Sequence, residues 1–200
     1  MERVRAARIA DPLVRHDFLS GRMALRGFAA EILGVHPEDL SANYSCPDCG
    51  TGPELDHGRP GYRVDGGAAC LTLSLSRSRG WALLAARGLG ANGALAASVG
   101  VDLEHSAGVT FPGFDAVALT PSERQLLRAL APDTATLWRA SAWARKEALL
   151  KSRGTGLRVD PATVEAFVAP GNGGLLLDLD AVALGLPAGF VGALAAVDAA

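Results

Sequence analysis

Segments with the period of a helix and segments with the period of a strand occupy separate stretches of this chain, and that separation restricts the fold most. Over residues 11–33, Leu13, Phe18, Leu25, Phe28, Ile32 and Leu33 recur at helical spacing, and Gly34 supplies a stop. Residues 41–68 are rich in Gly, Pro, Asp and Ser, which predicts a long loop of the functional or mobile kind. "CLTLSLS" (70–76) alternates apolar and hydroxyl residues and predicts a half-buried strand. "WALLAA" (81–86) follows a short polar turn, so the two form a hairpin. "SVGVDLE" (98–104) is a third strand, preceded by a flexible "GLGANGA". Thr120 as N-cap, Pro121 and Glu123 start a helix at "TPSERQLLRAL". A longer helix spans 134–152 and stops at Gly154, and weaker strands follow near 163–169, 175–179 and 190–197. Helices and strands are thus segregated, which favours α+β over a doubly wound sheet. A boundary near residue 98 gives two halves of similar size, 1–97 and 98–200, each with a long helix and a few strands.

Composition removes several functions. With 200 residues, 49% hydrophobic and 20% charged, the chain can bury a real core. A net charge of −2 argues against a general grip on nucleic acid, so any anion site must be a local arginine cluster. Three cysteines, an odd count, argue against a disulfide framework and fit a reducing, cytoplasmic setting. The first residues carry no apolar core of signal-peptide length, and no apolar run approaches ~20 residues, so no membrane partner is expected.

Chemistry concentrates in "WARKEALLKSRGTGL" (143–157). On a helix Trp143, Glu147 and Lys151 lie at i, i+4, i+8 and share one stripe. Alone, this is a surface Glu–Lys pair worth a few tenths of a kcal/mol. "VGVDLEH" adds weight. Asp102 and Glu104 point to one face of a strand whose other residues, Val99, Val101 and Leu103, are apolar. Two partly buried carboxylates repel, and a bound cation relieves them. Oxygen-only ligands suit Mg²⁺, which keeps waters and binds through a few carboxylates plus substrate phosphates. A solvated acidic strand end would explain the pair equally well.

"SVGVDLEH" followed by "WARKEALLKSRGTGL" resembles the 4′-phosphopantetheinyl transferases of the Sfp type, whose signature is a G-[IV]-D-x-E strand and a W-x-x-K-E-[AS]-x-x-K helix ending in G-x-G-L. "LTPSERQLLRAL" looks like the family's F-[ST]-x-x-E segment, "FLSGRMALRGFAAEILG" like its N-terminal helix, and "HGRP" stands where G-K-P is common. The resemblance implies a pseudo-twofold pair of halves, each a long helix on a small, mostly antiparallel sheet. It implies transfer of 4′-phosphopantetheine from coenzyme A to a serine of an apo acyl or peptidyl carrier protein, as in polyketide and nonribosomal peptide synthesis, by a monomer. Asp102, Glu104 and Glu147 would hold Mg²⁺, and Glu147 would take the serine proton. Lys151 would contact phosphate, flanked by Lys146. Ser76 would hydrogen-bond a phosphate, and Arg59 and Arg26, with Arg22 a weaker candidate, would grip the adenosine end. The carrier would dock near Glu147 and a flexible segment over 104–113.

The chain departs from that pattern at Arg77, where the family has histidine, and at Ser74, where it has asparagine. Arginine can still bind phosphate bidentately, so Arg77 is expected on the coenzyme A phosphate without a titratable role. The two departures also support an alternative, an inactive relative that binds coenzyme A or a carrier. Glu123 is explained by helix capping. "CPDC" (46–49) is half a zinc site, and His57 and Cys70 would complete it only at an unusual spacing, so incidental thiols are the favoured reading over a zinc-stabilised interaction domain.

Overall fold

The structure is a computed structural model and describes residues 2–88, 97–171 and 174–198. Most of the segment expected to be flexible, from residue 89 to 94, lies outside the described residues. A short helix α1 (Glu2–Ala7) precedes the long α2 (Pro12–Leu33). Asp11 caps α2 by accepting from the amides of Leu13 and Val14, Pro12 sits where no donor is needed, and Gly34 closes the helix in the left-handed region.

Residues 41–68 depart from the expected loop. They hold short strands β1 (Ser41–Ala42), β2 (Tyr44–Cys46), β3 (Gly50–Gly52), β4 (Tyr62–Val64) and β5 (Gly67–Ala68). β2 pairs with β3, and β4 lies between β1 and β5. At 2–3 residues each, they are too short to show a period-2 pattern. The expected hairpin is β6 (Leu71–Ser78) and β7 (Trp81–Gly88). β6 is buried on both faces rather than one, because its hydroxyls bond the next strand instead of water.

That next strand is β8 (Ala97–His105). A 3₁₀ turn at Ser106–Val109 follows, with Val109 buried, so the start of the expected flexible segment is built structure. Then come α3 (Phe114–Ala118), α4 (Pro121–Leu127) and α5 (Pro132–Arg153), which starts two residues before the expected 134. The chain ends in β9 (Leu175–Leu179) and β10 (Phe190–Asp198), which with β8 form a sheet of order β8-β10-β9. No strand forms at 163–169. A 3₁₀ turn at Pro161–Thr163 starts on the Asp160 carboxylate, and the amide of Ala166 goes to Glu123 Oε1. Side chains capture the backbone that a strand would have used.

Every strand pair among the described residues is antiparallel, and the architecture is α+β. α2 packs Leu25, Ala29 and Ala30 against Leu71 and Leu73 of β6. α5 packs Ala144, Ala148, Leu149 and Leu150 against Leu176, Ala193 and Ala195 of the three-stranded sheet. Gly100 sets the spacing of α5 on β8. A Cβ there would lie 2.0 Å from the carbonyl oxygen of Ala148, so only glycine permits the approach. No helix among the described residues is long and apolar enough to cross a membrane.

Candidate active site

β8 and α5 bring the sequence-predicted carboxylates and lysine to one place. Their helical and strand parities hold: Asp102 and Glu104 share the face of β8 that carries Gly100, and Trp143, Glu147 and Lys151 share a stripe of α5. All five line one cavity of about 1130 Å³. Lys151 Nζ donates to Asp102 Oδ1 at 2.5 Å and to the carbonyl of Val101 at 3.3 Å. The Ser76 hydroxyl donates to the same Asp102 oxygen at 2.7 Å, and the Ser74 hydroxyl accepts the Val101 amide at 2.9 Å. Asp102 is therefore buried with two donors aimed at it. Glu104 accepts the His105 amide at 2.7 Å. Burial pushes the carboxyls of Glu104 and Glu147 above the ordinary range. The Asp102 charge adds to both shifts, Glu104 adds to that of Glu147, and Lys151 opposes both. Trp143 packs edge-on to Phe114 at 5.9 Å and continues the stripe.

The opposite wall comes from the N-terminal half and is cationic. Phe18 of α2 is the hub: the guanidinium groups of Arg5, Arg22 and Arg77 lie 5.4, 5.3 and 5.8 Å from its ring centre. Arg22 also stacks on Tyr44 at 4.6 Å. Burial, then Arg22 beside it, lowers the Arg77 pKa. Arg77 also donates to the carbonyl of Asp17 at 2.6 Å. Arg59 lines the cavity too, but its donors serve the end of α5, at Ser152 O (2.7 Å) and Lys151 O (3.4 Å), and the Ser98 hydroxyl of β8 at 3.0 Å. A cation on the last carbonyls of a helix is favoured by its dipole. The Arg59 Nε is buried with no hydrogen-bond partner among the described residues.

Two expected site residues lie off the cavity, and a third lines it with its donor already used. Lys146 is 0% exposed and points away from the cavity into a network with Glu123 Oε2 (2.5 Å) and the carbonyls of Ala118 (2.6 Å) and Pro161 (3.0 Å). Burial lowers its pKa and Glu123 opposes that. Arg26 lies outside the cavity lining: it binds Glu2 at 3.1 Å and the carbonyls of Leu40 and Pro37, and stacks on Tyr62. Ser76 lines the cavity but spends its single hydroxyl proton on Asp102, so it orients the carboxylate instead of donating to phosphate. Glu123 does cap α4 as expected, exchanging bonds with Thr120 at 2.9 and 3.2 Å, and is also the partner of Lys146. Sequence reading missed Arg5, Arg79 and Arg158 on the cavity wall. No local pattern marks them, since each arrives from a different element.

Two of the three thiols lie together with a histidine. One ligand atom each of Cys46, Cys49 and His57 lie within 4.8 Å of one another, and among the described residues this is the one such group. Cys70 is outside it. The amide of Asp48, with further hydrogen bonds including one from Arg158, lowers the Cys46 thiol to about 6, while Cys46 raises that of Cys49.

The family model of the 4′-phosphopantetheinyl transferase superfamily matches residues 98–183. No curated protein matches the chain. Among solved structures, a holo-(acyl-carrier-protein) synthase from Bacillus anthracis, in complex with CoA (3′,5′-ADP), is similar at 20% identity and a TM-score of 0.42, over 52% of this chain and 96% of that one. The matched segment contains Asp102, Glu104, Glu147 and Lys151, the groups that β8 and α5 bring to one cavity, and over that segment the chain is similar to the 4′-phosphopantetheinyl transferase superfamily.

Proposed function

We propose that the protein transfers 4′-phosphopantetheine from coenzyme A to a serine of an apo acyl or peptidyl carrier protein, releasing 3′,5′-ADP, with Mg²⁺ as cofactor, as a cytoplasmic enzyme of the Sfp type. One observation carries this reading: a single cavity with carboxylates and a lysine on one wall and Arg22, Arg59 and Arg77 on the other. A pyrophosphate needs cations for its charge and carboxylates for a metal, and phosphoryl transfer needs little else from a protein.

The residues suit Mg²⁺. Glu104 and Glu147 are partly buried beside Asp102 and are raised in pKa, so a cation would relieve all three. Their ligand atoms do not gather as tightly as those of Cys46, Cys49 and His57. An ion that shares its shell with water and substrate oxygens does not require a closed cage. When bound, Mg²⁺ would supply neutralisation of the pyrophosphate. Glu147 takes the proton of the acceptor serine. The serine oxygen bonds to the phosphopantetheinyl phosphorus as the bond to the bridging oxygen breaks, and 3′,5′-ADP leaves with that oxygen. Lys151 is held by Asp102 at the cavity wall, where it can balance charge on the transferred group, and Arg22 and Arg77 can meet the outer phosphates. In favour of an active enzyme over the inactive-relative alternative, Ser74 bonds β8 and Arg77 remains on the cavity wall.

A further reading is that the halves, 1–97 and 98–200, are related by a pseudo-twofold. In its favour, α2 and α5 each have 22 residues, start with proline and close on a left-handed glycine. The deciding experiment incubates apo acyl and peptidyl carriers with the protein, coenzyme A and Mg²⁺, and reads the intact mass. A phosphopantetheine adduct is expected. Its absence across the carriers, with coenzyme A demonstrably bound, overturns the transferase reading.

A further inference from the structure

We propose that Cys46, Cys49 and His57 form a site for one zinc-class divalent ion, distinct from the carboxylate set, that pins the 46–58 segment and with it Arg59. The three ligand atoms lie within 4.8 Å of one another, close enough to share one ion. Two thiols and an imidazole select a borderline-soft ion over Mg²⁺. The local backbone suits the task. "CPDCG" closes β2 into β3 through the Cys49 amide on the Cys46 carbonyl at 3.2 Å, with Gly50 at φ 84°. That turn puts both sulfurs on one side.

The surroundings are those of a ligand set. His57 Nδ1 lies 3.1 Å from Asp56 Oδ1, and since an ionised carboxylate can only accept, Nδ1 carries the proton and leaves Nε2 free to bind. This carboxylate–histidine pairing fixes the ring as metal-bound histidines are fixed. Asp56 is itself held by ion pairs with Arg5 at 3.9 Å and Arg8 at 3.6 Å. Arg158 donates to Cys46 Sγ at 3.4 Å, which offsets thiolate charge. A water would take the fourth position. The ion takes both sulfurs as thiolates, so any thiol proton still held is released on binding.

The consequence reaches the cavity. His57 is followed by Gly58, where a Cβ would meet the Ser45 carbonyl oxygen at 2.3 Å, and then by Arg59, which pairs with Ser45 through two backbone bonds. An ion bridging Cys46 to His57 closes this loop and steadies the arginine that grips the end of α5.

The test uses the whole protein in reducing buffer. After purification and dialysis, elemental analysis is expected to give one zinc per chain, and cobalt exchanged into its place is expected to show thiolate-to-cobalt charge-transfer absorption. Cys49→Ser and His57→Ala should each abolish both signals; neither side chain is buried in the core, and circular dichroism confirms folding. Cys70→Ser and Asp102→Asn should retain them, which separates this site from the proposed transfer chemistry. Zinc should raise the melting temperature of the wild type and not of Cys49→Ser. Protein that takes up neither metal, or uptake that survives both Cys49→Ser and His57→Ala, or uptake lost in Asp102→Asn, overturns the proposal.

Discussion

The two walls of the cavity hold charge in opposite ways. On the α2 side, the guanidinium groups of Arg5, Arg22 and Arg77 gather round the Phe18 ring, and Arg22 also faces that of Tyr44. On the α5 and β8 side, Asp102 is buried against Lys151 and Ser76, while Glu104 and Glu147 are half-buried with too few donors to settle their charge. The arginine wall is already satisfied by rings and carbonyls, so it can bind an anion with little rearrangement. The carboxylate wall is frustrated until a cation arrives. Under the proposed reaction, that difference assigns affinity to the first wall and chemistry to the second: substitutions on the first should cost binding, and on the second turnover.

The largest effect expected is Glu147→Gln. Loss of the proposed base should cut turnover by about 10²–10⁴-fold while coenzyme A still binds through the arginines. Carrier modification followed by intact mass, beside calorimetry with coenzyme A, checks both halves. A comparable loss of coenzyme A affinity would break the division between walls. Excess EDTA should have the same selective effect.

Next in size is Lys146→Ala, on the same helix but off the cavity. It leaves Glu123, 1% exposed, buried without its cation, at a cost of about 3–5 kcal/mol of stability. The double variant Lys146→Met with Glu123→Gln should recover part of that, because the neutral amide removes the orphaned charge and its oxygen keeps one of the two backbone amide bonds that Glu123 accepts. Urea unfolding measures it. A stable, inactive Lys146→Ala would return this lysine to the site.

This pair of predictions marks what could be read in the sequence. Glu147 and Lys151 were legible because helix period alone puts them on one stripe, and Asp102 with Glu104 because strand parity does. Lys146 was not, since its partner Glu123 stands 23 positions earlier and the buried network forms only when α4 meets α5. Arg22 and Arg26 share a helix face, yet Arg26 is captured by Glu2 and by the carbonyls of Pro37 and Leu40. Helical spacing cannot show which arginine another segment will take. The strands inside 41–68 were hidden by their length, and the Cys46–Cys49–His57 group by the folding of that segment on itself.

Arg77→Ala should weaken coenzyme A by roughly ten- to a hundredfold, the loss of one charge-assisted contact of about 1.5–3 kcal/mol. Arg77→His should recover part of this and bring a pH dependence. Arg26→Ala should leave coenzyme A affinity unchanged while lowering the melting temperature, because its donors tie α2 to residues 37–40 and to Glu2. Equal losses in Arg77→Ala and Arg26→Ala would blur the arginine wall into a general basic surface.

The smallest effect should appear in stability against pH. Glu104 and Glu147 have raised pKa values in the folded state, so the fold binds their protons before the unfolded chain does. Their contribution is fully present below the ordinary glutamate value and is lost as pH rises through the raised one. Asp56, lowered by its hydrogen bond to His57, works the other way and loses stability as pH falls. The difference between wild type and Glu147→Gln isolates the cavity wall from such opposing groups. In EDTA at neutral pH the variant should melt higher than the wild type, because it removes a charge that burial and two neighbouring carboxylates disfavour. The gap should close as pH falls through the raised value. Addition of Mg²⁺ with coenzyme A should close it at neutral pH as well, since a cation then gives the carboxylate its partner. The effect is small because both glutamates still touch solvent in the cavity, which screens the repulsion. A variant that melts lower than the wild type in EDTA at neutral pH would mean that Glu147 is already satisfied without a cation, and that the carboxylate wall is no more strained than the arginine wall.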